Sequence, residues 1–129
     1  MKFLLKTFFV LLISLLMVAK SDAISFSEGY AQTVNKPMIL LVYAEWASGY
    51  KTYVGVMDAL EKEYGDKFNF VKLDIAKPDA ADFNAKFHIY PNLPYILMYR
   101  DGGKISRYIQ RSCASDYSCV ESKMKTFLH

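Results

Sequence analysis

The apolar run from Met38 to Tyr43 constrains the fold of this chain more than any other feature. It reads Met-Ile-Leu-Leu-Val-Tyr, with no charged side chain along its length. A short, uninterrupted apolar run is typical of a strand that is buried on both faces of a sheet. Because both faces of such a sheet must be shielded from water, helices are expected on each side. The run therefore predicts an α/β fold with this strand inside the sheet.

The rest of the chain alternates helical and strand patterns. Strand–helix–strand units place their strands parallel and join them by right-handed crossovers. The turn Asp101-Gly102-Gly103 makes an antiparallel hairpin of the last two strands. We expect a mixed four-stranded sheet with helices on both faces. Helices are predicted at Ser25–Asn35, Gly49–Tyr64, Pro78–Phe87 and Ser115–Leu128, and further strands at Phe68–Ile75, Tyr95–Tyr99 and Lys104–Gln110.

Single residues predict where the first two helices begin and end. Ser27 is the expected N-terminal cap of the first helix. Proline disfavours the helical conformation of the residue before it, so Lys36-Pro37 should end that helix. Gly65 is expected to close the second helix.

Residues 1–23 have the parts of a secretory signal peptide. A start with two lysines is followed by the apolar run Phe8–Ala19 and by Ser21-Asp22-Ala23, whose outer residues are small. An uncleaved membrane anchor is the alternative, but a spanning helix needs about 20 apolar residues and Lys20 interrupts the run. We expect cleavage before Ile24. A single domain, residues 24–129, would then be periplasmic or secreted, without a membrane span.

The predicted signal peptide carries much of the positive charge. Its removal takes away three lysines and one aspartate and lowers the net charge from +3 to +1. A nearly neutral domain gives no electrostatic reason to expect nucleic acid as a partner. The sequence has no glycine-rich phosphate loop, and its two histidines and two cysteines do not form a metal-ligand set. No cofactor or metal is therefore expected.

Several segments resemble the thioredoxin family in their order and spacing. The resemblance covers about Phe26–Leu128 and implies a thioredoxin-like fold, in which a loop with a cis-proline precedes the third strand. The entry to the domain is similar to exported thioredoxin-like domains. The segments that carry the resemblance are Phe26-Ser27-Glu28, Asn35-Lys36-Pro37, Tyr43-Ala44-Glu45-Trp46 with Lys51, Asn92-Leu93-Pro94-Tyr95-Ile96, and Asp101-Gly102-Gly103-Lys104.

The chain departs from this family at the redox motif. Where thioredoxins have Trp-Cys-X-X-Cys-Lys, this sequence reads Trp-Ala-Ser-Gly-Tyr-Lys from Trp46. Dithiol exchange needs one thiolate to attack and a second thiol to resolve the mixed disulfide. Neither Ala47 nor Tyr50 supplies a thiol, and Leu41 aligns with the buried acid of the family. We expect no catalytic residue in this loop.

Ser48 is the remaining nucleophile type in the altered motif. A serine nucleophile needs a partnered base, and nothing in the sequence places His88 or His129 beside it. We expect Ser48 instead to cap the helix that follows.

Cys113 and Cys119 are the two cysteines of the chain. An even number of cysteines in an exported chain favours a disulfide. A turn between them would bring the two α-carbons within the roughly 7 Å that a bridge requires. The bond would fasten the closing helix to the sheet. The alternative is a displaced redox pair, although a spacing of five intervening residues is not that of a redox motif.

The residues around the altered motif predict a site for an extended polypeptide. The resemblance implies that the cis-proline loop offers backbone groups to a peptide, and Trp46, Tyr50, Leu93 and Pro94, with Tyr90, would form an apolar surface around it. Two structural alternatives remain open: Pro94 only shapes the loop, and Tyr50 only fills space.

Three functions follow from these features. The first is an exported, non-catalytic thioredoxin-like protein that binds a polypeptide partner. The second is a thiol-disulfide oxidoreductase that uses Cys113 and Cys119. The third is a purely structural domain of the cell envelope.

Overall fold

The computed structural model describes residues 24–87 and 92–128. The predicted signal peptide, residues 1–23, lies outside the described residues, as do Tyr90 and both histidines. Within the described ranges, no helix is both long enough and apolar enough to cross a membrane.

The elements follow the predicted order, with short additional helices. They are α1 (Phe26–Ala31), a 3-10 turn (Gln32–Val34), β1 (Met38–Tyr43), α2 (Tyr50–Tyr64), β2 (Asn69–Asp74), a 3-10 turn (Pro78–Ala80), α3 (Ala81–Lys86), β3 (Tyr95–Arg100), β4 (Ile105–Ile109), α4 (Arg111–Ala114) and α5 (Tyr117–Phe127).

The four strands form one mixed sheet in the order β2-β1-β3-β4. Strand β1 pairs parallel with β2 and antiparallel with β3, and β3 pairs antiparallel with β4. Leu41, for example, lies opposite Lys72 on one side and Ile96 on the other. The predicted fold, a mixed four-stranded sheet with an internal apolar strand, is confirmed.

Two apolar cores lie on opposite faces of the sheet, because successive residues of β1 point to opposite sides. Ile39 and Leu41 pack with residues of α2 and α5, whereas Leu40 and Val42 pack with Phe26 of α1 and with α3. All four of these β1 side chains are fully buried. Helices therefore cover both faces, as the apolar run predicts.

The N-terminal cap of the first helix lies two residues earlier than predicted. Ser25 is its N-terminal cap, and the Ser25 hydroxyl accepts a hydrogen bond of 3.1 Å from the backbone N–H of Glu28. Ser27, the predicted cap, lies inside the helix and donates its hydroxyl to Asp82 instead. Ser-x-x-Glu is the spacing of a capping box, and Ser25, not Ser27, has a glutamate three residues ahead.

The predicted third helix divides in two, and an additional short helix precedes the closing helix. Residues 78–80 form a 3-10 turn before α3, and α4 precedes α5. Asp116 begins α5, since its carboxylate accepts a 3.1 Å hydrogen bond from the N–H of Cys119. The predicted start at Ser115 is therefore early by two residues, because Tyr117 is the first residue of α5.

Candidate functional site

The loop between β1 and α2 holds the altered motif close to the core. Ala47 is only 7% exposed, and its N–H donates to the carbonyl of Ala44. Trp46, its neighbour, is 72% exposed. The loop therefore presents an indole to solvent and keeps the methyl group of Ala47 inside.

Helix α2 starts without a side-chain cap. Gly49 occupies the cap position in a left-handed conformation, with φ of 73°, and no side chain caps the helix there. The prediction that Ser48 caps this helix is therefore wrong. The physical reason is that the positive φ at Gly49 lets the chain turn into the helix one residue later, so the cap falls on a residue without a hydroxyl.

Tyr50 packs on Tyr43 at the start of α2. Its half-buried ring stacks on Tyr43, with ring centres 5.8 Å apart and planes 7° from parallel. Burial of Tyr43, and next the nearby Asp74 carboxylate, raise the pKa of the Tyr43 phenol. The Tyr43 phenol in this stack is therefore neutral at physiological pH.

The second loop of the candidate site precedes β3. The Leu93–Pro94 peptide bond is cis. The side chains of Leu93 and Pro94 are both buried, and Asn92 is exposed. The apolar surface therefore differs from the predicted one: Trp46 and part of Tyr50 face solvent, whereas the cis-proline loop contributes mainly backbone.

Arg111 joins the two loops. Its three nitrogen atoms donate to three acceptors: Nη1 to the Leu93 carbonyl at 2.7 Å, Nη2 to the Ser48 carbonyl at 3.0 Å, and Nε to the Tyr53 hydroxyl at 3.0 Å. The guanidinium carbon also lies 5.7 Å from the centre of the Tyr53 ring. One planar group thus ties the altered motif, the cis-proline loop and α2 together.

This role of Arg111 has no signature in the sequence. Its position just after a strand is typical of an arginine in water, and its three acceptors come from residues 18 to 63 positions away. Two of those acceptors are backbone carbonyls, which every residue has. Only the folded arrangement reveals the contact.

The remaining predicted groups lie as follows. Cys113 in α4 and Cys119 in α5 form a disulfide, with α-carbons 5.4 Å apart. Ser48 contacts Arg111 through its carbonyl oxygen. Within the part of the chain that the structure describes, no three His, Cys, Asp or Glu side chains are grouped so that they would hold a metal ion.

The comparisons with known proteins all point to the same family. The thioredoxin family model matches residues 18–118. Thioredoxin X of the Arabidopsis thaliana chloroplast is 34% identical over 71 residues, which cover 54% of this chain and 37% of that protein. The thiol:disulfide interchange protein TxlA of Synechococcus elongatus is 33% identical over 54 residues, covering 39% of this chain and 28% of that protein. The chain thus spans about a third of the length of these curated relatives.

A solved structure extends the similarity to the fold. The thioredoxin of Fasciola hepatica superimposes with a TM-score of 0.54 over 74% of this chain and 84% of its own, at 15% sequence identity. At this identity the likeness concerns the fold alone.

Proposed function

This chain belongs to the thioredoxin family, and from that premise we propose that it is an exported, redox-inactive member that binds an extended polypeptide. The proposed binding surface consists of Trp46, Tyr50 and the backbone of the Leu93–Pro94 loop. One observation carries the proposal: an indole that is 72% exposed lies on a loop without cysteine, and Arg111 fastens that loop to the cis-proline loop.

The redox-inactive part of the proposal is supported by the chemistry of the loop. The buried methyl group of Ala47 offers no nucleophile, and the Tyr50 ring is stacked on Tyr43. Leu41, in the place that the family resemblance gives to a buried acid, is fully buried among apolar side chains. Neither the attacking thiolate nor a proton acceptor for a resolving thiol is supplied at these positions.

The binding part is supported by an exposed aromatic ring beside a fixed backbone. Tryptophan and tyrosine are among the residue types that are enriched at binding hot spots. The Leu93 carbonyl already accepts a hydrogen bond from Arg111, so a peptide would gain little from that group. We therefore expect most of the affinity to come from the rings of Trp46 and Tyr50.

Two features of the chain support the export part of the proposal. Residues 1–23 have the pattern of a signal peptide, and the two cysteines form a disulfide, a bond that persists in oxidising compartments. The proposal places the protein in the periplasm or the secreted space.

Photo-crosslinking in living cells tests the proposal. A benzoylphenylalanine at Tyr50 should capture a discrete envelope or secreted polypeptide, and Trp46→Ala in the same chain should abolish that product. The matched control carries the photoreactive residue at Lys62, an exposed position near the other end of α2. Equal capture from both positions, or capture that survives Trp46→Ala, would contradict the proposed surface.

The second candidate function is thiol-disulfide exchange through Cys113 and Cys119. The observed disulfide favours it, as does the similarity to a protein named for thiol:disulfide interchange. Reduction of insulin by dithiothreitol distinguishes the two functions. We expect no acceleration by the wild-type protein, whereas turnover that disappears in Cys113→Ser would establish the oxidoreductase.

A further inference from the structure

Strand β4 forms one edge of the sheet. It is the last strand in the order β2-β1-β3-β4, and within the described ranges it pairs with β3 alone. Four of its five residues are exposed, and only Ile109 is buried. An exposed edge carries backbone N–H and C=O groups with which another extended chain can pair.

A groove runs beside this edge. Three adjoining cavities of about 230, 300 and 430 Å³ lie along β4, and Tyr108 lines all three. The first two share Ile109 and Lys123, and the last two share Gln110 and Ser112. We refer to these three adjoining cavities together as the β4 groove.

The smallest of the three cavities has apolar side chains in its wall. Met98, Ile109 and Phe127 line it and are each at most 2% exposed. The Cys113–Cys119 disulfide lines the middle cavity.

The charged side chains that line the β4 groove are all cationic. They are Arg107, Lys123 and Arg111, and none of the three cavities has an aspartate or glutamate in its lining. The ion pairs found among the described residues are Lys72–Asp58 and Arg100–Asp101, so no lining cation is neutralised by one. The groove therefore has an unbalanced positive charge.

We infer that the β4 groove docks an extended acidic polypeptide segment, which adds to the sheet as a fifth strand. Backbone pairing would come from β4, and acidic side chains at every second position would face Arg107, Lys123 and Arg111. The net charge of the domain is close to zero, and long-range attraction of polyanions would need a larger excess of positive charge. The partner is therefore expected to be a segment whose acidic side chains match the local charge of this groove. The inference does not depend on the proposed function, although the two surfaces meet at Arg111.

Isothermal titration calorimetry with a synthetic peptide tests the inference. The probe is an alternating Glu-Val octapeptide with blocked ends, and its control replaces each Glu with Lys. The wild-type protein should bind the Glu peptide, with affinity that falls as salt rises, and should not bind the Lys peptide. Equal binding of both peptides, or no binding of the Glu peptide, would overturn the inference.

Protein variants then locate the site. Arg107→Glu combined with Lys123→Glu should weaken binding by about tenfold, because two attractive charges become repulsive. The matched control is Lys125→Glu, an exposed lysine on the same helix that does not line the groove, and it should change affinity by less than about twofold. All three positions are exposed, so the variants should melt like the wild type. Unchanged affinity in the double variant would overturn the inference.

Two further measurements separate strand addition from other modes of binding. N-methylation of every amide of the Glu peptide should abolish binding, because it removes the donors that pair with β4. An oligonucleotide of equal charge that displaces the peptide equally well would overturn strand addition. A third outcome is that Trp46→Ala loses peptide binding while the Arg107→Glu/Lys123→Glu variant still binds the peptide. The peptide would then bind at the proposed surface around Trp46, and this result would overturn the β4 inference but not the proposed function.

Discussion

Arg111 shows how a single side chain can hold two loops that are distant in the sequence. Its donors face the carbonyls of Leu93 and Ser48 and the hydroxyl of Tyr53, and each of these groups would otherwise need another partner. The planar, permanently charged guanidinium suits three acceptors in different directions, whereas a lysine ammonium is a compact charge on a flexible stem. The geometry of the candidate site therefore depends on one residue outside both loops.

Replacement of Arg111 should lower stability measurably. Arg111→Met keeps much of the aliphatic stem but removes three donors, and we expect a loss of about 2 kcal/mol in the free energy of unfolding, since hydrogen bonds from charged groups contribute on that order. Arg111→Lys should recover only part of it. Urea denaturation measures both, with Arg107→Met, at an exposed position on β4, as the control. A loss no greater than that of the control would mean that the loops are held by other contacts.

At the scale of elements, the β3–β4 hairpin packs tightly against the N-terminal segment. The N–H of Gly102 donates to the Thr33 carbonyl at 3.1 Å. Gly103 lies so close to the Tyr30 ring that an added β-carbon would collide with it, and its φ is +86°. The hairpin turn therefore requires glycine at position 103 for both its backbone conformation and its packing.

Two glycines of one turn allow a paired test of this requirement. Gly103→Ala should lower the free energy of unfolding by roughly 2 kcal/mol or more, because a left-handed non-glycine residue costs about 1–2 kcal/mol before any clash. Gly102→Ala, with φ of +68° and its nearest neighbour at 3.7 Å, should cost only the backbone part. Thermal unfolding of both variants measures the difference. Equal losses would mean that Tyr30 moves aside freely.

Helices α2 and α5 are joined by two tyrosine–carboxylate hydrogen bonds. Tyr64 donates to Glu121 at 2.7 Å, and Tyr117 donates to Glu63. These hydrogen bonds, followed by burial, raise the pKa of each phenol to about 12. Because only the neutral phenol can donate, the helix pair is fully stabilised below the pKa of about 10 that tyrosine has in the unfolded chain.

Alkaline pH should therefore loosen this helix pair. As pH rises from about 10 to about 12, the two tyrosine hydroxyls lose their protons in the unfolded chain before they lose them in the folded protein. The free energy of unfolding should therefore fall through this pH range. Above about pH 12 the stabilisation from the two hydrogen bonds should be gone. The double variant Tyr64→Phe/Tyr117→Phe should show a shallower decline. Urea denaturation at pH 9 and pH 11 compares the two proteins. Parallel declines would assign the alkaline loss to other groups.

At the scale of the whole molecule, the sequence predicts the architecture better than the site. The apolar run of β1 and the amphipathic helices determine the layers, since burial of many side chains decides them together. The cap positions, such as Ser25 and Gly49, are harder to predict, because neighbouring residues compete for the hydrogen bonds at the start of a helix and the cap can shift by one or two residues. The burial of Leu93 and the contacts of Arg111 depend on distant backbone groups, which no local pattern encodes.

The disulfide links the last two helices of the molecule. Removing it as Cys113→Ser/Cys119→Ser should reduce the free energy of unfolding by about 2 kcal/mol, because the bond closes a short loop. Hydrogen exchange should accelerate mainly in α5, which packs on the sheet through Val120, Met124 and Phe127. An unchanged exchange rate in α5 would show that this packing alone fixes the helix.

Trp46 is the single tryptophan of the chain, and it stands 72% exposed on the proposed binding surface. Its fluorescence is therefore a built-in reporter of that surface alone. Burial of the indole by a bound polypeptide should shift the emission to shorter wavelength, whereas occupation of the β4 groove should leave the wavelength where it is. Titration of the unlabelled protein with each ligand reads out the two surfaces separately.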